Sequence, residues 1–238
     1  MPALRWAGLL LLLLLTGGAL AQPPVIPLFS GLPVGGEIVG WRPLKPAPKV
    51  PDTRYTLEDD AGEVVVRAEA VASMSGLVHE LRVPAAQLGT LHWRWRVRAP
   101  VASADMRQKS GDDYAARVYV LFDYPRARLS WVTRAKLALA EAFYGQPIPT
   151  AVINYVWDNR QPVGTLRPNA YTDRARMWVL ESGAARAGEW VTETRDLAAD
   201  FRAAFGEAPP DLIGIAIATD TDNTGEHATA WFGDLVLR

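Results

Sequence analysis

Two acid-rich stretches, about a hundred residues apart, hold the side chains with the most chemical promise. The first runs Lys109-Ser110-Gly111-Asp112-Asp113-Tyr114-Ala115-Ala116-Arg117, with two adjacent carboxylates just ahead of an alternating segment that carries an arginine. The second is Asp220-Thr221-Asp222-Asn223-Thr224-Gly225, where oxygen-bearing side chains crowd a short turn. Oxygens at alternate positions suit a hard cation, so Asp220, Asp222 and Asn223 form a candidate Ca2+ set. The pattern is not an EF-hand: counting Asp220 as position one, position twelve is Trp231 where a bidentate Glu is needed. Asp113 paired with Asp220 or Asp222 could also serve as the acid and base of a glycoside hydrolase, which needs carboxyls about 5 to 9.5 Å apart. The plainer reading of both stretches is Asx-type turns plus an ion pair to Arg117.

Other polar candidates lie in strand-like segments. Arg96 falls on the polar side of Leu91-His92-Trp93-Arg94-Trp95-Arg96-Val97-Arg98, and Asn154 lies in Asn154-Tyr155-Val156-Trp157. Nine Trp and seven Tyr are present, and Tyr155, Trp157, Trp178 and Trp190 occur beside Asn154, Arg176 and Glu181. Exposed rings can stack on the apolar face of a sugar while acids, amides and arginines bond its hydroxyls. This leads to a cleft for a glycan or other polar ligand, built from Arg96, Asp113, Arg117, Asn154, Asp220 and Asp222. Core packing is the plain alternative for most of the rings.

The elements that must position these groups are mostly strands. A period of two places Leu91, Trp93, Trp95 and Val97 on one face of their segment and His92, Arg94, Arg96 and Arg98 on the other. Glu63–Ala70 and Leu77–Val83 read as a hairpin across a turn from Ser73 to Gly76, and Ile38–Trp41 as a short first strand. Further strands are expected at 115–122, 152–157, 176–181, 189–195, 212–219 and 228–237. Trp131, Ala135, Ala138, Leu139, Ala142 and Phe143 recur at helical spacing before Gly145 and Pro147. A second helix should start at an Asp196 cap, bury Leu197, Phe201 and Phe205, and stop at Gly206. The first helix is basic (Arg126, Arg128, Arg134 and Lys136 against Glu141) and could lie on an anionic membrane surface or cap the sandwich. The sum is an all-β fold, an antiparallel two-sheet jelly-roll-like sandwich with two inserted helices, forming one domain over 52–238.

Composition removes several classes. Of 238 residues, 25 are Lys or Arg and 26 Asp or Glu; with no basic excess, a general nucleic-acid partner is not expected. There is no Cys, and His79, His92 and His227 are widely separated, so thiol chemistry and a zinc site are not expected. Phosphate-loop, dinucleotide, zincin and nucleophile-elbow motifs are missing. Arg5, seven consecutive leucines from Leu9 to Leu15, and Ala19-Leu20-Ala21 form a secretory signal pattern over residues 1–21. Cleavage there would give a periplasmic or secreted protein. Residues 22–51 then form an arm with eight prolines.

The segments Trp93–Val97, Lys109 with Gly111–Val120, Asn154–Trp157, Val179–Gly183, Phe205-Gly206 and Asp220–Thr224 resemble, in order and spacing, the motifs of the bacterial domain-of-unknown-function 3047 family. The resemblance implies an exported bacterial protein with a β-sandwich akin to the jelly rolls of carbohydrate-binding modules. It transfers no catalytic residue.

Overall fold

Alternating apolar residues need a second apolar surface, and two sheets of this chain supply it to each other. The computed structural model describes residues 25–45, 49–144 and 149–238; the leucine run, Pro46, Pro48, Gly145 and Pro147 lie outside them. The strands, in chain order, are β1 (Arg42–Leu44), β2 (Arg54–Asp60), β3 (Glu63–Val71), β4 (Met74–Val83), β5 (Thr90–Val97) and β6 (Tyr114–Phe122). Helix α1 (Trp131–Tyr144) precedes β7 (Ala151–Asp158), β8 (Leu166–Pro168), β9 (Ala175–Ser182) and β10 (Val191–Asp196). Helix α2 (Leu197–Phe205) leads to β11 (Leu212–Asp220), β12 (His227–Phe232) and β13 (Val236–Leu237). One sheet has the order β1-β4-β11-β6-β7-β9-β8, and the other β10-β5-β12-β3-β2 with β13 also on β5. The two-sheet, strand-dominated architecture agrees with the sequence reading. One pairing does not: β7 and β9 run parallel.

The core forms where inward faces meet. Leu91, Trp93, Trp95 and Val97 of β5 are buried against Val118, Val120 and Phe122 of β6 and Ile153, Tyr155 and Trp157 of β7. Trp93 stacks on Tyr155 at 5.4 Å between centroids, and Trp95 meets Trp157 at 6.1 Å. Such ring pairs contribute about 1 kcal/mol each beyond their buried area. Tyr155 and Trp157 are therefore core residues and offer no ligand platform.

Local expectations fare unevenly. The Asp196 carboxylate accepts from the Ala199 amide at 2.8 Å and Gly206 ends α2 at φ 74°, as capping chemistry predicts. The hairpin turn lies earlier than Ser73–Gly76, because Ala72 takes a left-handed φ of 45° and the strand resumes at Met74. Ile38–Trp41 is not a strand; Trp41 docks on Phe29 at 5.0 Å and its indole N–H donates to the Pro27 carbonyl. The arm is thereby fixed to the core, with Ile26 and Phe29 buried. In α1, Trp131 and Leu139 are 75% and 74% exposed, so the expected stripe does not face the sandwich; Leu137 makes the inward contact. Among the described residues no helix is long and apolar enough to cross a membrane.

Candidate functional site

The side chains that alternate outward from the seven-stranded sheet include Arg117 and Tyr119 on β6 and Asn154 on β7, with Tyr119 facing Asn154 in register. Strand β11 pairs with β6 on its other side, and Asp220 at its end lies opposite Tyr114. That pairing brings the two acid-rich stretches together. Gly111 lets the first stretch fold against the loop before it: a Cβ there would lie 2.6 Å from the Asp105 amide nitrogen, whose N–H donates to the Gly111 carbonyl. Only glycine fits so close to a backbone.

Arg117 is the hub. Its Nε donates to Asp220 Oδ1 at 2.7 Å, while Nη2 donates to Asp220 Oδ2 and to the Asp112 carbonyl. The pair has side-chain exposures of 4% and 1%. The Tyr114 amide also donates to Asp220 Oδ1 at 3.1 Å, and the Arg117 guanidinium stacks over the Tyr114 ring at 4.3 Å. Burial pushes the Asp220 carboxyl upward and Arg117 pulls it back, while Asp113 and Asp112 add to the rise.

Asp113 is fully buried and ties the second stretch to the first. It accepts from the amides of Asn223 (3.3 Å) and Thr224 (2.7 Å) and from Asn223 Nδ2 (3.1 Å). Asp222 completes the cluster and is the member with partial exposure. Burial and the neighbouring Asp113 carboxylate raise its pKa. Three oxygens, one each from Asp113, Asp220 and Asp222, lie within 4.8 Å of one another. Asp112 and Asn169 border this cluster, Asn169 Nδ2 donating to Asp112 Oδ2 at 2.9 Å. Tyr171, 56% exposed, shares its hydroxyl between the Lys109 carbonyl and Asn223 Oδ1, at 3.1 Å each.

The donor set bears on a cation as follows. Asp220 and Asp222 are both in the cluster, but Asn223 turns its amide nitrogen to Asp113 and its oxygen to Tyr171, so Asp113 takes its place. Counting Asp112, four carboxylates meet one guanidinium, an electrostatic excess that suits a hard cation. Opposing this, Arg117 already neutralises Asp220 and backbone N–H groups already satisfy Asp113.

Four of the six expected site residues, Asp113, Arg117, Asp220 and Asp222, thus converge. Asn154 shares their sheet face but is buried one position along, its Nδ2 against Met177 Sδ at 3.5 Å and its Oδ1 without a partner among the described residues. Arg96 does not belong to this group, because β5 lies in the other sheet. There its guanidinium sits over Trp190 (4.8 Å) and Trp231 (4.4 Å) and pairs with Asp60 at 3.0 Å. Asn169 and Tyr171 were not foreseen; their loop shows no periodicity that would flag them. Also unforeseen is Glu193 on β10, raised to about 7 by burial and by the Glu181 carboxylate.

What fold and site define together is a β-sandwich with an acidic, arginine-centred end. The chain belongs to the family described as protein of unknown function (DUF3047), whose profile matches residues 39–236. No curated protein matches it in sequence. Among solved structures, the K2 cleaved adhesin domain of Lys-gingipain is similar at 10% identity and TM-score 0.41, over 89% of this chain and 97% of that one. The xyloglucanase domain of NopAA, a type three effector from Sinorhizobium fredii, in complex with cellobiose, gives 7% and 0.39 over 85% and 99%. Endoglucanase 3 of Trichoderma harzianum, from family GH12, gives 8% and 0.37 over 78% and 84%.

Proposed function

We propose that the chain is an exported envelope protein that binds a glycan or similar polar ligand at the acidic end of its seven-stranded sheet. The sandwich is read as jelly-roll-like because β3, β4, β5 and β6 alternate between the sheets, as do β9, β10, β11 and β12. The observation that carries the proposal is the meeting of Asp113, Asp220 and Asp222 beside the exposed Tyr171 ring. In this reading Tyr171, held by its hydroxyl and with the Lys109 ammonium over one ring face at 5.1 Å, stacks a sugar on the other face, and Asp222 meets its hydroxyls. Asp113, Arg117 and Asp220 hold the rim in shape from below. Ca2+ is the cation this donor set suits, with Asp222 as the carboxylate that reaches solvent.

Hydrolysis by the same acids is not favoured. Asp113, the acid common to both candidate pairs, with Asp220 or with Asp222, is 0% exposed and accepts from the Asn223 and Thr224 amides, so it is closed to a glycosidic oxygen or a water.

A glycan array probed with the protein in Ca2+ and in EDTA tests the proposal. Binding to a defined glycan should weaken at least tenfold in Asp222→Asn and in Tyr171→Ala, with unfolding free energies within about 0.5 kcal/mol of the parent. Unchanged affinity in both variants overturns it. Equal affinity with and without Ca2+ removes the cation alone.

A further inference from the structure

The six-stranded sheet carries a separate hollow on its outer face, of about 300 Å3, at the other foot of the loop that leaves Asp220. Arg67, Glu69, Val71, Arg98, His227 and Thr229 line it. Strand register explains the grouping: Thr229 on β12 faces Glu69 on β3, His227 faces Val71, and the Arg98 amide donates to the Thr229 carbonyl at 2.9 Å.

Charge in the hollow is unbalanced. Arg67 pairs with Glu69 at 2.6 Å and with Glu58 at 3.6 Å, and Glu69 also meets Arg54 at 3.6 Å, so Arg67 and the one carboxylate of the lining are already matched, which leaves Arg98. Arg98 has no ion pair or hydrogen bond through its side chain among the described residues, and it is exposed. His227 is exposed likewise, and the Arg67 Nε is buried without an acceptor among the described residues. One unmatched guanidinium at the mouth of a polar hollow is a receptor for an anionic group, because its planar fork grips a carboxylate through two parallel bonds. The volume lies at the small end of ligand pockets, enough for one ring-sized unit. Thr229, Glu69 and His227 supply both donors and acceptors for hydroxyls, and Val71, 55% exposed, supplies an apolar patch for a C–H face.

We infer that this hollow binds one acidic monosaccharide unit, a hexuronate, with its carboxylate on Arg98 and its hydroxyls on Thr229, Glu69 and His227. The site goes beyond the acidic end and does not depend on it.

Amide NMR titration of the protein with D-glucuronate tests the assignment, with D-glucose, inorganic phosphate and L-glutamate as comparison probes. Saturable shifts at Arg98, Ala228 and Thr229 are expected, with a Kd on the order of 1 mM, as suits so small a ligand. Arg98→Gln should weaken binding at these amides at least tenfold. Absence of saturable shifts at these amides, or unaltered binding in Arg98→Gln, overturns the site. Glucose binding as tightly as glucuronate overturns the role of the charge. Phosphate or glutamate binding equally well overturns the sugar, leaving a general anion pocket. Should the variant fail to fold, the four-probe titration of the parent chain decides alone.

Discussion

At one foot of the loop between β11 and β12, Arg117 and Asp220 meet with side-chain exposures of 4% and 1%; at the other, Arg67 and Glu69 meet with 30% and 29%. The chemistry of the two pairs is the same, and their solvent differs. In the first, water is replaced by the Tyr114 amide and the Asp112 carbonyl, and each charge depends on its partner to remain buried. In the second, water still screens both charges, and a neighbouring arginine is left unmatched. The closed region therefore holds shape, and in the proposed function recognition at that end falls to its rim, Asp222 and Tyr171. The open region needs no rim, since the guanidinium itself reaches solvent.

The sharpest way to break this comparison is to remove one partner from each pair. Arg117→Met should destabilise the fold by about 3 to 5 kcal/mol in urea denaturation, because Asp220 is left buried and uncompensated. Arg67→Met should change stability by about 1 kcal/mol or less. Similar losses in the two would show that burial is not what separates them. Next in size, Asp113→Ala should cost about 2 kcal/mol, since the amides of Asn223 and Thr224 lose their acceptor. Gly111→Ala should cost at least as much, because its new Cβ meets the Asp105 backbone, and it should weaken glycan binding as well by shifting Asp112 and Asp113.

A smaller effect concerns pH. Glu193 has a folded-state pKa near 7, above the ordinary glutamate value, so the native state holds its proton more tightly than the unfolded chain. That contribution to stability is fully present below the ordinary value and is lost as pH rises through about 7. Melting temperatures measured from pH 4 to 8 should carry a downward component across this window, and Glu193→Gln should remove it. An unaltered profile in the variant would show that Glu193 is not its source.

Much of this was legible in the sequence where a single strand or helix end decides the matter. The period of two in β5 fixes which residues enter the core, and Asp196 and Gly206 mark the ends of α2. Pairing across the sheets was not legible. That Asp220 lies opposite Tyr114, and that Arg96 belongs to the other sheet, follows from strand order, which no local pattern encodes. Strand β2 escaped notice because Tyr55 and Leu57 alternate only briefly before Glu58-Asp59-Asp60, a run that reads as a turn. The exposed face of α1 has the same origin: periodicity shows that an apolar stripe exists, not what it meets.

The central claim, that the acidic end of the seven-stranded sheet receives a polar ligand, is tested most directly by mapping amide shifts for the best glycan from the array. The largest shifts should fall on Tyr171, Asp222, Asn223 and Thr224 and disappear in Asp222→Asn. A saturable response confined to other surfaces, with these four residues silent, would contradict it.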